Sequence, residues 1–200
     1  SDNGPVLDDG YKDGAIEKIG THRAAGPYSG GKYSVYEGGT RTPFITRWKG
    51  HIKPGVSDQM VCTIDLPASL AALADQKISS ESCRDSFNIL EALLGKADSP
   101  GRTELVQQNN GNNGTFALRT GDWKLHRYDK KTARNVVVEQ ELENTIVPRF
   151  QLFDLEKDPA EKTDVAAEFP EVTERLQRRL DEIIKQGGSR PGIQPVDQKN

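Results

Sequence analysis

Two hundred residues carry 27 Lys and Arg against 30 Asp and Glu, a net charge of −3 with both signs mixed along the chain. Apolar residues make up 34% and charged residues 28%, which suits a globular chain rich in polar loop and excludes a basic face for nucleic acid. No apolar run approaches the ~18 residues that span a bilayer, and no signal peptide opens the chain, as holds equally for a mature or truncated exported protein.

Residues 1–42 are rich in Gly, Asp and Lys and poor in apolar periodicity. They predict a long loop, of the kind that is usually functional or disordered. Asp2 and Asn3 place two hard oxygens side by side. A divalent cation such as Ca²⁺ takes six or more, and taken alone the run DNG reads as a turn. Further on, in SGGKYSVYEGGTRTPF, Gly30 and Gly31 permit close backbone approach. Lys32 supplies a point charge suited to an anionic oxygen. Gly38 and Gly39 make a second tight passage, and the GxxxxGK[ST] pattern of a phosphate loop is absent. A solvated loop lysine is the alternative.

TPFITRWKG predicts a strand over Pro43–Trp48, stopped at Gly50. TIDLPASLAALAD predicts a helix with Asp65 as N-cap, Pro67 in the first turn, and Leu66, Leu70 and Leu73 on one face. DSFNILEALLG predicts another, capped by Asp85 or Ser86 and ended by Gly95. Cys62 and Cys83 match neither a CxxC redox pair nor a zinc framework. They read as two small buried hydrophobes, or as one disulfide in an oxidising compartment.

KADSPGR at 96–102 reads as a boundary and QQNNGNNG at 107–114 as a loop tip. TFALRTGDWKLHRY is a hairpin signal, with Phe116, Leu118, Trp123 and Leu125 apolar around TGD and Trp123 read as core. VVVEQE and FQLFDL are further strands. PEVTERLQRRLDEIIKQGG is an amphipathic helix from Pro170 to Gly187, with Val172, Leu176, Leu180, Ile183 and Ile184 along one stripe. The second half is therefore an α+β layer, a small antiparallel sheet packed on a helix. The first half offers one strand among helices. A lone strand cannot satisfy its own backbone, so this half reads as a remnant of a larger parallel sheet.

Taken in order, SDNGP, GGKYSVYEGGTRTPFITRWKG, DLPASLAALA, SFNILEALLG, ALRTGDWKLH, FQLFDLEKDPAEKTDVA and PEVTERLQRRLDE resemble the C-terminal half of a type I, formylglycine-dependent sulfatase of the alkaline-phosphatase superfamily. The resemblance runs from Ser1 to about Lys185. It implies an α/β remnant of the catalytic domain over residues 1–96, followed by an α+β C-terminal subdomain over 97–200. It implies hydrolysis of a sulfuric ester, on a sulfated sugar or an aryl sulfate.

Residue by residue, Asp2 and Asn3 match the second pair of calcium ligands. Lys32 matches the lysine on a sulfate oxygen, and is both catalytic and substrate-binding. The long insert THRAAGPYSGGK resembles those of glycan-acting members. There His22, ten residues before Lys32, would meet a sugar hydroxyl or the leaving-group oxygen, or else stand solvated in its loop. Arg23 would be a second anionic contact. Arg41 would pair with Glu37 or support the site, structural support being the preferred reading, while His51 and His126 are read as structural.

The family's nucleophile motif, Cys/Ser-x-Pro-x-Arg, is absent: Cys62 is followed by Thr-Ile-Asp and Cys83 by Arg-Asp-Ser. The formylglycine and the remaining ligands are therefore expected in a preceding segment, without which this chain is expected to be inactive and to expose an uncovered apolar face. The resemblance places the parent protein in a periplasm or outside the cell. A stand-alone binding module, and a phosphoester or phosphonate hydrolase of the same superfamily, are the alternatives.

Overall fold

The computed structural model describes residues 1–6, 11–96, 99, 101–109, 115–129 and 147–194. The chain divides into two compact units, Ser1–Pro43 with Val106–Gln177 and Phe44–Leu105 with Arg178–Asn200. The division falls inside one strand and one helix.

A four-stranded sheet is built from β1 (Glu104–Gln108), β2 (Thr115–Thr120), β3 (Trp123–Tyr128) and β4 (Phe150–Asp154), in that order. The predicted hairpin is β2–β3, antiparallel, with Thr120 opposite Trp123. Its two-residue turn puts Gly121 at φ +60, the first central position of a type II′ turn that matches strand twist. β3 pairs antiparallel with β4. Leu118, Leu125 and Leu152 are aligned across the three strands and wholly buried. Trp123 packs against the exposed Phe169 at 4.9 Å between ring centroids and is half-buried, at the margin of the core and not within it as expected. FQLFDL is β4, whereas VVVEQE lies outside the described residues.

Ahead of the sheet, this unit holds short helices α1 (Ala15–Lys18) and α2 (Glu37–Thr40). The C-terminal helix α5 runs over Pro170–Gln186, starting at proline as predicted and ending before Gly187 at φ +73.

The second unit departs further from expectation. Residues 43–48 form no strand, and Ile45 is 90% exposed. The residues are strand formers, yet a strand exists only where another chain segment takes its hydrogen bonds. A single-turn 3-10 helix, Thr63–Asp65, leads into α3 (Leu66–Leu73). Asp65 stands at the N-cap position of α3, as expected, but its carboxylate makes no capping bond to that helix. It accepts from the Cys62 and Phe87 N–H groups and forms a buried 2.5 Å ion pair with Arg102. Burial pushes its carboxyl up from the ordinary aspartate value, against the downward pull of Phe87 N–H and Arg102.

Of the leucine face of α3 only Leu66 packs on the core. Leu70 and Leu73 are exposed, while Ala68 and Ser69 are buried. Hydrogen bonds decide this: Ala68 N–H donates to Ser86 Oγ, and Ile89 N–H donates to Ser69 Oγ. The second predicted helix shrinks to α4 (Leu90–Leu93), because the proposed caps are engaged elsewhere. Asp85 Oδ1 accepts from Ser189 and Ser86 Oγ from Ala68. Ile89, Ala92 and Leu93 form the local core with Val61, Leu66 and Phe87. Cys62 is half-buried and Cys83 exposed, both with free thiols, so neither the disulfide nor the buried-hydrophobe reading holds.

Candidate functional site

The opening residues lie along the loop that carries Lys32. Ser1 and Thr42 meet through the Thr42 hydroxyl, which donates to Ser1 O at 3.2 Å. Gly4 N–H donates to Gly39 O, and Lys32 N–H donates to Pro5 O, both at 2.8 Å. Asp2 and Asn3 are thus clamped between Gly39–Thr42 on one side and Lys32 beyond Pro5.

Glycines make this possible by touching one another. A Cβ on Gly4 would lie 1.9 Å from Gly38 O, one on Gly38 would lie 2.4 Å from Ser29 O, and one on Gly39 would lie 2.2 Å from Gly31 O. The glycine pairs therefore serve backbone-to-backbone packing. Gly38→Ala is expected to cost about 1–3 kcal/mol by overpacking, read as a lower urea midpoint. An unchanged midpoint would show that the loop yields freely.

Lys32 is half-buried, Asn3 half-buried and Asp2 exposed. The Asn3 amide nitrogen donates to Gly4 O at 2.9 Å, which fixes the end of the amide that carries its oxygen. His22 and Arg23 are exposed in the turns after α1. Among the described residues no hydrogen bond or ion pair joins either of them to Lys32, Asp2 or Asn3. Arg41 pairs with Glu37 Oε2 at 3.5 Å and lies over the Tyr28 ring.

Beneath the loop sits a cluster that the sequence did not announce. Lys124 Nζ lies 2.9 Å from Glu37 Oε1 and 3.0 Å from Glu161 Oε1, and all three side chains are almost wholly buried. Glu37 also receives Arg119 at 3.3 Å. Glu161 Oε2 accepts from Glu37 N–H at 2.6 Å, while its Oε1 meets His126 Nε2 at 2.9 Å. Ser29 Oγ adds a bond to Ala160 O. Loop 29–40 is thereby fastened to β3 and to the turn around Glu161.

Burial drives the His126 pKa below 6.5, with the Lys124 charge adding to it against the pull of Glu161. The ring is neutral, and because an ionised Glu161 only accepts, the His126 proton is on Nε2. Burial pushes the Glu161 carboxyl up, but the hydrogen bond from His126 and the charge of Lys124 outweigh it and hold it below 4.5. His126 is structural, as expected, and its partner is Glu161.

The detectable signal lay in the strand period. Lys124 and His126 share a face of the sheet with Ala117 and Phe153. A face bearing both an alanine and a phenylalanine is covered, so its lysine must be paired.

For a cation, the carboxylate of Asp2 and the amide oxygen of Asn3 are hard donors of the type Ca²⁺ takes. They fit as part of a ligand set. Among the described residues no group of three or more His, Cys, Asp or Glu is placed to complete one.

The family model for the C-terminal part of N-sulphoglucosamine sulphohydrolase matches residues 30–186. The chain belongs to this sulfatase family. It is 44% identical over 183 residues to an N-acetylgalactosamine-6-O-sulfatase of Bacteroides thetaiotaomicron, covering 92% of this chain and 35% of that protein. It is 32% identical to human arylsulfatase A, covering 74% and 31%. A solved structure from work on glycosaminoglycan metabolism by Bacteroides thetaiotaomicron superposes with a TM-score of 0.79 at 41% identity, over 92% of this chain and 37% of that one. The chain thus spans about a third of the length of these sulfatases, and its small antiparallel sheet with helices is that of their C-terminal part.

Proposed function

We propose that this chain is the C-terminal part of a sulfatase that hydrolyses a sulfate ester on a carbohydrate, with residues 1–96 completing the catalytic domain and 97–200 forming its subdomain. The observation that carries this reading is the 2.8 Å bond between Lys32 N–H and Pro5 O. It ties the amine-bearing turn to the opening segment that carries Asp2 and Asn3. The high identity to a 6-O-sulfatase of N-acetylgalactosamine supports a 6-sulfated hexosamine as substrate.

In this reading Asp2 and Asn3 hold part of a Ca²⁺ site. When bound, the ion supplies positive charge that polarises sulfate oxygens. Lys32 donates to a sulfate oxygen where negative charge develops. In the same reading His22 and Arg23 meet the sugar or a neighbouring anionic group, a role their exposure on the insert supports. The nucleophile, a formylglycine, and the other ligands come from sequence outside these 200 residues. The exposed Phe44, Ile45, Val56, Leu70 and Leu73 supply an apolar surface for that sequence to cover. Among the described residues no helix is long and apolar enough to cross a membrane, and the relatives support a secreted or periplasmic protein.

The test is sulfate release by the full-length protein carrying this chain. N-acetylgalactosamine 6-sulfate should be hydrolysed, a phosphate monoester should not, and a calcium chelator should abolish the activity. Turnover of the phosphate ester in preference to the sulfate would overturn the assignment.

A further inference from the structure

The turn that carries Lys32 has the wrong residue for its geometry. Ser34 N–H donates to Gly31 O at 3.1 Å, closing a four-residue turn with Lys32 and Tyr33 at its centre. Tyr33 has φ +81 while Lys32 does not have positive φ, the signature of a type II turn, whose third position normally requires glycine. Ser34 Oγ reinforces the turn by bonding both Gly31 N–H and Gly31 O. The left-handed backbone is therefore imposed on a bulky aromatic residue, and such outliers cluster at functional sites. The ring is half-buried, and its centroid lies 5.0 Å from Lys32 Nζ, within the range of a cation–π contact.

We propose that Tyr33 is the positioning residue for the Lys32 ammonium: its ring face holds the amine, and the protein accepts a strained turn to put it there. The inference rests on the reading of Lys32 as the sulfate-contacting group. It adds that the amine is held by its chain neighbour, although Glu37 of the same loop lies engaged in the buried cluster.

The test compares three variants of the full-length protein. Tyr33→Gly removes the ring and relieves the turn. It should raise the urea midpoint yet lower kcat roughly three- to fivefold, the factor expected for losing an exposed cation–π contact. Tyr33→Phe keeps the ring and should restore what the glycine variant loses. A merely structural tyrosine would move stability and turnover in the same direction.

A spectroscopic arm stands apart from activity. With selectively ¹³Cε-labelled lysine, and Lys32→Ala to assign the signal, the Lys32 ε-CH₂ protons should show an upfield ring-current shift. That shift should persist in Tyr33→Phe and vanish in Tyr33→Gly. An identical Lys32 resonance with and without the ring overturns the inference, whatever the activity. If the resonance moves as expected while Lys32→Ala keeps full turnover, the ring does hold the amine and it is the sulfatase role of Lys32 that fails.

Discussion

Lys124→Met will destabilise the protein by about 3–5 kcal/mol near pH 8, the usual cost of removing one partner from a buried ion pair. The substitution keeps the volume of the stem but deletes the cation that bridges Glu37 and Glu161 at 2.9 and 3.0 Å. Glu37 retains Arg119 and Arg41, both partly exposed. Among the described residues Glu161 retains only His126 as a side-chain donor, and that ring is neutral in the parent.

A pH dependence follows from the same geometry. In the parent, His126 has a folded pKa below its ordinary 6.5, so on acidification the unfolded chain takes up this proton first. Stability is complete above about pH 6.5 and falls below it by up to ~1.36 kcal/mol per pH unit. Glu161, depressed below 4.5, contributes stability that is present above that value and lost as pH falls through its folded pKa. In Lys124→Met the repulsion that Lys124 exerts on His126 is gone, and the ring can take a proton to face Glu161. The penalty of the substitution should therefore be smaller near pH 5.5 than near pH 8. Urea denaturation at the two pH values decides it. A penalty under about 1 kcal/mol at pH 8, or one that grows toward acid, would mean that the cluster does not hold the charges assigned to it.

What the sequence made legible follows a physical division. The β2–β3 hairpin and α5 were readable because their signals are local: a glycine turn between alternating runs, and an apolar stripe of helical period between Pro170 and Gly187. Pro43–Trp48 was misread because a strand is a property of a pair, and propensity cannot supply the partner. Asp85 and Ser86 do not cap α4, and Asp65 holds the N-cap position of α3 without a side-chain capping bond, because residues distant in sequence, Ser189, Ala68 and Arg102, compete for the same atoms. The glycine pairs around Lys32 signal close backbone approach but not to what, and the structure shows these glycines pressing on each other's backbones or on Ser29. For the opening Asp-Asn pair and Lys32 the ordered motifs of the family supply an expected role, to which the structure adds the 2.8 Å bond from Lys32 N–H to Pro5 O. Tyr33 was hidden, because nothing in the letters KYS marks a turn position reserved for glycine.

Lys32→Ala is the counterpart to the Lys124 substitution, and the two lysines should fail in opposite ways. The structural contribution of Lys32 is its backbone N–H on Pro5 O, which alanine preserves. The side chain is half-buried, and among the described residues no hydrogen bond or ion pair holds its ammonium, which lies 5.0 Å from the Tyr33 ring centroid. Stability should accordingly stay within about 0.5 kcal/mol, as for other substitutions that remove no buried partner. Turnover should not survive so well. A preorganised donor aimed at developing negative charge is worth about 2.7–4 kcal/mol, or ~10²–10³ in kcat. Because that interaction strengthens in the transition state, kcat and kcat/KM should fall together with KM little changed. Lys32→Arg should recover only part of the loss, since a planar guanidinium on a longer stem cannot occupy the same point. Steady-state hydrolysis of a sulfated hexosamine by the full-length protein, paired with urea denaturation of the same samples, separates the outcomes. Turnover within about threefold of the parent would remove Lys32 from the chemistry. A large loss of stability alongside the loss of rate would instead make it a second buried-type anchor, and the functional weight would then shift to Asp2, Asn3 and whatever sequence completes their site.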